Sequence, residues 1–449
     1  MKLRLVSLLV LALSATVGAQ APAPRPLEVP YRLVTLKNGL TVILHRDTSV
    51  PVVAVNMWYH VGSANERVGR TGFAHLFEHL MFMGSKNVPE GEFDKLLESA
   101  GGDNNGSTDK DRTNYYEDIP SNALELALYL DSDRMGFLVD TMTPERIDAQ
   151  RDVVKNERRQ SYENRPYGMA ELELDKLLWP ANHPYSWSTI GEMADLTAAS
   201  HDDVVAFFKK YYVPNNATLV IAGDIDLDKT QALVDKWFGP IPAGSPVEPI
   251  APPPALLTGV KKETLRDRVQ LPRLYLAWLT PRQFAPGDAA FDLVSSVLTG
   301  GKNSRLYKRL VYELQIAQDV EAYQASEALG SSFQIIATAR PGKTVAEIQK
   351  VIDEEIDKLR REPPAAREVE RAINQTVASF YRRIERVGSY GGKADQLNAY
   401  YAAGGGPDYF AEDLARYTSL SPSDVQAAVQ RWLPADRRVE LIVEPEEKK

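Results

Sequence analysis

The chain contains no cysteine among its 449 residues. Disulfides and thiolate ligands are therefore excluded, which leaves imidazole and carboxylate groups as metal donors. A surplus of positive charge is missing too: the formal net charge is -9, which argues against nucleic acid as a partner. The apolar run from Leu5 to Val17 is too short to span a bilayer. It follows Met1-Lys2-Leu3-Arg4 and ends on the small residues Gly18-Ala19-Gln20-Ala21. This is the pattern of a secretory signal over residues 1–20, with a retained N-terminal anchor as the alternative. Cleavage removes Lys2 and Arg4 and takes the formal charge from -9 to -11. A cysteine-free chain behind such a signal suits a periplasmic or secreted location without stable membrane insertion. Ala21-Pro22-Ala23-Pro24-Arg25-Pro26 then reads as a short extended leader.

What is present describes an ordinary globular protein, 44% apolar and 25% charged, long enough for two domains. An internal repeat organises it. Asp202 to Phe208 leads through Pro214 to the strand Thr218 to Gly223. Ser423 to Val429 leads through Pro434 to Val439 to Val443. Each copy reads as a capped helix, a turn and a closing strand. Between the halves, Pro240, Pro242, Pro246, Pro249, Pro252, Pro253 and Pro254 form a stiff linker. The expected boundaries are 31–240 for a first domain, 241–259 for the linker and 260–445 for a second domain.

The densest chemistry lies in Gly72-Phe73-Ala74-His75-Leu76-Phe77-Glu78-His79-Leu80-Met81-Phe82. Free of proline and apolar on nearly every face, it predicts a buried helix between Gly72 and Gly84. Positions i, i+3 and i+4 share a helix face, so His75, Glu78 and His79 converge. Burying three ionisable groups together is costly unless something pairs them. A zinc ion does so: neutral imidazoles suit it, and a catalytic site keeps one coordination position for water. Glu78 beside that water is then a general base. The order is the inverse of the commoner HExxH motif. The competing reading is a helix with two structural histidines and a surface glutamate.

Two histidines call for a third, carboxylate donor. Asp148 to Gln160 is a second candidate helix, and with it the chain resembles the pitrilysin, insulysin and mitochondrial processing peptidase family of zinc peptidases. Members carry an HxxEH helix and, between seventy and eighty residues later, a glutamate ligand on another helix, the position of Glu157 here. The resemblance covers nearly the whole mature chain. It includes Leu36 to Val42 as a hairpin, Val52 to Gly62 as a strand, and Thr113-Asn114-Tyr115-Tyr116, whose alternation suits a strand. It implies an α+β protein of two homologous α/β-sandwich domains of the pitrilysin-like metallopeptidase fold, facing each other around a peptide-sized chamber. It also implies one zinc per chain and an open sheet edge near Thr113 to Tyr116 that pairs with extended peptide substrate. Asn105 and Gly106 match the substrate-facing stretch, and strand addition supplies sequence-tolerant main-chain hydrogen bonds.

Two departures shape the expected function. Many relatives carry a second glutamate seven residues before the ligand; here that residue is Gln150, which cannot share charge with the site. Active single-chain relatives also place an arginine and, seven residues later, a tyrosine in the second half to bind substrate and stabilise the oxyanion. Gly300 to Leu310 fits the family, yet Val311 and Gln318 fall where that pair belongs, and Arg305 and Tyr312 have the spacing in the wrong frame. Losing such a donor costs about 100 to 1,000-fold in rate. The expectation is a zinc metalloendopeptidase subunit that cleaves peptides or unfolded segments with a homologous partner supplying the Arg and Tyr pair. A heterodimer is expected and a homodimer is possible. The alternative is a non-catalytic zinc-binding homologue serving as a scaffold or peptide-binding assembly subunit. His45, His60, His183 and His201 lack ligand spacing and read as structural or exposed. Arg158-Arg159 and Arg382-Arg383 read as solvated helix faces, Gly404-Gly405-Gly406-Pro407 as a flexible loop, and Tyr400 and Tyr401 as packing residues.

Overall fold

The computed structural model describes residues 27–446, so the signal segment over 1–20 and the leader up to Pro26 lie outside the described residues. Alternating and continuous apolar runs form two sheets. The first contains β1 (Arg32–Thr35), β2 (Thr41–Arg46), β3 (Val52–Tyr59), β4 (Asp103–Thr108), β5 (Thr113–Pro120) and β6 (Ala217–Gly223), in the order β1-β2-β6-β3-β5-β4. The second contains β7 (Lys261–Asp267), β8 (Arg273–Thr280), β9 (Ala317–Ala325), β10 (Ser331–Ala339) and β11 (Val439–Pro445), in the order β7-β11-β8-β10-β9. Strand for strand, the second sheet repeats β2-β6-β3-β5-β4. The first pair is parallel in both, and the remaining neighbours are antiparallel. Among the described strands, β1 alone has no counterpart.

The first half adds helices α1 (Phe73–Leu80), α2 (Glu92–Ser99), α3 (Leu124–Phe137), α4 (Pro144–Arg158), α5 (Gly168–Leu178), α6 (Met193–Ala198), α7 (His201–Tyr211) and α8 (Leu227–Phe238). The second adds α9 (Asp288–Thr299), α10 (Val345–Arg361), α11 (Ala366–Glu385), α12 (Lys393–Ala402), α13 (Phe410–Thr418) and α14 (Pro422–Trp432). The repeated helix starts are capped alike: Ser200 accepts from Asp203 N before α7, and Ser421 from Asp424 N before α14. From Gly239 to Val260 there is neither helix nor strand. Ile250 and Leu257 of that proline-rich stretch pack inward.

Period-two alternation explains how the halves join. On β3, Val53, Val55, Met57 and Tyr59 face α1, α3 and α7 in one core. Ala54 points the other way, where with Ile43, Val220 and Ala222 it meets Phe380, Ala394, Leu397 and Tyr400 of the second half. The exchange is mutual. Tyr275, Ala277, Ile336, Val439 and Leu441 on the back of the second sheet are covered by Ala170, Leu174 and Leu178 of α5. A sheet buried on both faces needs a cover on each, and each half provides the other's. Apolar clusters drawn from both halves fill these two contacts.

Candidate metal centre

Helix α1 begins at Gly72, whose left-handed φ of 86° suits glycine, and a Cβ there would lie 3.0 Å from Cα of Gly191. Its first free amides are capped by the buried carboxylate of Glu66, which accepts from Gly72 N at 2.9 Å and Ala74 N at 2.8 Å. Burial pushes the Glu66 carboxyl up to about 8. Phe73 and Phe77 lie against Phe207, and Phe77 also meets Phe208 and Tyr212. Tyr115 on β5 donates to the Phe77 carbonyl at 3.1 Å. The helix ends at Leu80 rather than running to Gly84, because Phe82 N and Met83 N turn back to the carbonyls of His79 and Leu80.

Helix α4 is capped by Thr143 with proline at its first position, and passes into a π-helical turn, Arg159–Glu163. Arg158 is buried, not on a solvated face. It donates to the Gly191 carbonyl at 2.5 Å, to Glu192 at 3.0 Å and to Glu163 at 3.2 Å. A guanidinium with three acceptors can be buried, whereas a bare one cannot. Gly191 thus touches the start of α1 and binds the end of α4, joining the two helices that carry the donors.

Those donors meet. His75 Nε2 lies 3.5 Å and His79 Nε2 3.3 Å from the same Glu157 oxygen, with the imidazoles nearly perpendicular. Tetrahedral zinc with bonds of about 2.0 to 2.1 Å sets its ligand atoms about 3.3 Å apart. Burial lowers the His75 pKa and so favours the neutral, metal-binding imidazole. The hydrogen bond from His79 lowers Glu157 and so favours the carboxylate. Nδ1 of His75 is buried without a hydrogen-bond partner among the described residues. The donor set fits a zinc ion. Glu78 lies on the same helix, half-buried, and a Cβ on Gly106 would stand 3.2 Å from its Cγ.

Gly106 and Asn105 belong to β4, the outermost strand of the first sheet, with Thr113 to Tyr116 one strand inward on β5. The glycine therefore lets the edge pass directly beneath Glu78. Gln150 lies two turns before Glu157, and its amide is committed to Met83 Sδ at 2.9 Å. Arg305 is held by Glu368 through two hydrogen bonds of 2.9 and 2.8 Å, while Tyr312 is 75% exposed. Val311 packs against the second core, and Gln318 is exposed on β9. The other histidines have structural partners: His45 meets the Pro30 carbonyl, His60 Thr218, His183 Tyr185 N and His201 the Met142 carbonyl. Tyr400 packs and donates to Asp413. The capping role of Glu66, six and eight residues from the amides it accepts, and the contacts of Gly191 with Gly72 and Arg158 carry no signal in the sequence.

A family model described as insulinase, peptidase family M16, matches residues 41–182, and one described as the M16 inactive domain matches 198–376. The zinc protease PqqE of Helicobacter pylori is 30% identical over 390 residues, 85% of each chain. The chain belongs to the M16 peptidase family. His75, Glu78, His79 and Glu157 all fall inside the stretch matched by the insulinase model. An uncharacterized zinc protease of Bacillus subtilis, YmxG, is 24% identical over 79% of this chain and 85% of its own. Among solved structures, a protease from Helicobacter pylori superposes with a TM-score of 0.84 at 27% identity, covering 93% of this chain and all of that one. The M16 fold is also shared with a putative M16-like peptidase from Alicyclobacillus acidocaldarius, at a TM-score of 0.80 and 20% identity over 94% of this chain and 100% of that one.

Proposed function

We propose that this chain is the zinc-bearing subunit of a metalloendopeptidase acting on peptides or unfolded segments. The observation that carries the reading is the convergence of His75, His79 and Glu157 beside Glu78, over the glycine of an open sheet edge. A bound zinc ion would supply the Lewis acid that polarises the scissile carbonyl and lowers the pKa of the attacking water. Glu78 takes the proton from that water and returns it to the leaving amine. The outer edge of β4 at Asn105 and Gly106 binds the substrate as an added strand, the peptide replacing the 2.8 Å hydrogen bond that the Gly106 amide makes to Asn105 Oδ1. With Arg305 tied to Glu368 and Val311 and Gln318 in the expected positions, the chain offers no Arg and Tyr pair of its own. A homologous partner supplies it. The two domains of this chain span 31–240 and 260–445, with 241–259 as the linker. Residues 1–20 direct export to the periplasm or beyond. Among the described residues, no helix is long and apolar enough to cross a membrane.

The test is hydrolysis of a quenched fluorescent peptide by this chain, by the homologous partner and by their mixture, with Glu78→Gln as control and zinc content measured throughout. Activity only in the mixture, lost in the control, is the expected result. Inactivity of a zinc-loaded complex would favour a scaffold role instead.

A further inference from the structure

One residue of the second half reaches the proposed substrate edge of the first. Asp395 on α12 is buried at 6% exposure. Its Oδ1 accepts from Trp58 Nε1 at 2.9 Å and Asn114 Nδ2 at 3.0 Å, with Asn56 Nδ2 at 3.5 Å, and its Oδ2 accepts from Gly391 N at 2.9 Å. The carboxylate thus sits against the central strands β3 and β5, held by neutral donors.

Asn114 passes this contact on. A carboxylate only accepts, so the amide of Asn114 must turn its NH2 to Asp395 and its carbonyl outward. That carbonyl receives Ser107 Oγ at 2.7 Å and Arg112 Nη1 at 3.3 Å. Arg112 also donates to Ser107 O at 2.8 Å and Ser107 Oγ at 2.7 Å, with its guanidinium over the rings of Trp58 and of Tyr390 from the second half. Ser107 stands opposite Asn114 on β4 and directly follows Gly106, the residue beneath Glu78. Alternation along the strand places Gly106 toward α1 and Ser107 toward α12. A flipped Asn114 amide would set NH2 against the Arg112 donor and its carbonyl against the Asp395 carboxylate.

We propose that Asp395 is a positioning residue, through which the second half sets the register and height of the peptide-binding edge beside Glu78. This assigns the half without metal ligands a part in substrate binding. It rests on the reading of β4 as the substrate edge.

The full chain with its partner serves for the test. Asp395→Asn keeps the shape but replaces one of the two acceptor oxygens by an NH2, which opposes a donor whether it faces Asn114 and Trp58 or the Gly391 amide. The expected result is amide hydrogen exchange at residues 103–108 faster by about tenfold, the worth of one buried hydrogen bond to a charged group. KM should rise with little change in kcat, and zinc affinity, read by competition with a chromophoric chelator, should not change. The reciprocal pair Asn114→Asp with Asp395→Asn restores a donor facing an acceptor and should recover exchange protection and KM. Ser107→Ala cuts the same chain at its far end, so it should reproduce the β4 result even where Asp395→Asn fails to fold. Faster exchange spread evenly over α12, β3 and β6 without rescue by the reciprocal pair would overturn the proposal, as would unchanged β4 protection in both single variants. An inactive wild-type complex would defeat the peptidase reading, and the exchange result would still decide whether Asp395 positions β4.

Discussion

The two halves share a strand order and differ in what their corresponding helices hold. In the first, α1 and α4 meet through His75, His79 and Glu157. In the second, α9 and α11 meet through a neutral hydrogen bond of 2.8 Å from Ser296 to Gln375. Helix α9 is filled with Phe291, Leu293, Val294, Val297 and Leu298, with no imidazole. The sheet edges differ less. On β9 the amide of Ala322 is taken by Thr299 Oγ1 at 3.0 Å, and on β4 the amide of Gly106 by the adjoining Asn105 Oδ1 at 2.8 Å. Duplication therefore supplies a scaffold that is stable with or without the metal donors. The chemistry is an addition that must find its own compensation for burying charge.

The largest expected effect comes from making the first half chemically like the second. Glu78→Gln removes the base while keeping size and helix, and should lower peptide turnover of the complete enzyme by about 100 to 10,000-fold with zinc retained. A loss of zinc alongside activity would instead place Glu78 among the groups that hold the metal.

The next contrast is in buried charge. Arg134 on α3 is enclosed with Glu117 at 2.7 Å and with Asp131, at side-chain exposures of 2%, 1% and 1%, and lies over the rings of Phe93 and Tyr115. On α10 the comparable Glu355 pairs with Arg309 and Lys358, which are 26% and 52% exposed. Removing one member of a buried cluster costs about 3 to 5 kcal/mol, because uncompensated charge stays behind. Arg309 is partly exposed and its removal leaves Lys358 on Glu355, so it costs less. Arg134→Met should therefore lower the urea midpoint of the zinc-free protein far more than Arg309→Met. Equal shifts would mean that water reaches the Arg134 cluster.

Helix starts sharpen the comparison by pH. Both α1 and α9 begin at a left-handed glycine, with φ of 86° and 94°. Asp288 beside α9 is paired with Arg416 at 2.8 Å, while Glu66 beside α1 meets only backbone donors and is pushed up to about 8 by burial. A carboxyl with a higher pKa folded than unfolded stabilises the fold while protonated. That contribution is full below its unfolded value of about 4.3 and is lost as pH rises through the folded value near 8. The melting temperature of the zinc-free protein should fall between these limits, and Glu66→Gln should flatten the fall. An unchanged slope in the variant would assign the pH dependence to other groups.

How far all this was legible from sequence depended on whether the signal was local. His75, Glu78 and His79 lie within two turns of one helix, so spacing alone brings them together. Glu157 needed the resemblance, since nothing in a charged helix says which glutamate turns inward. Arg158 shows the converse: a charged pair on a polar helix reads as solvated, and two of its three acceptors, Gly191 and Glu192, lie more than thirty residues away. The contacts between the halves carry no local signal either, since α5 and α12 show buried apolar residues but not against what they pack. Their covering surface is the back of the other half's sheet.

The smallest effect expected is at the edge itself. A Cβ at Gly106 would stand 3.2 Å from Glu78 Cγ and 3.3 Å from the ring of Phe82, tighter than ordinary packing, on a backbone that any residue can adopt. Gly106→Ala should therefore fold normally and bind zinc as before, but displace Glu78 by a few tenths of an ångström. Since displacements near 1 Å can cost about a hundredfold, a loss of about tenfold in kcat is expected, with KM little changed. A rise in KM with kcat intact would assign the missing side chain to admitting the peptide, because a strand raised from the edge weakens binding without moving the base.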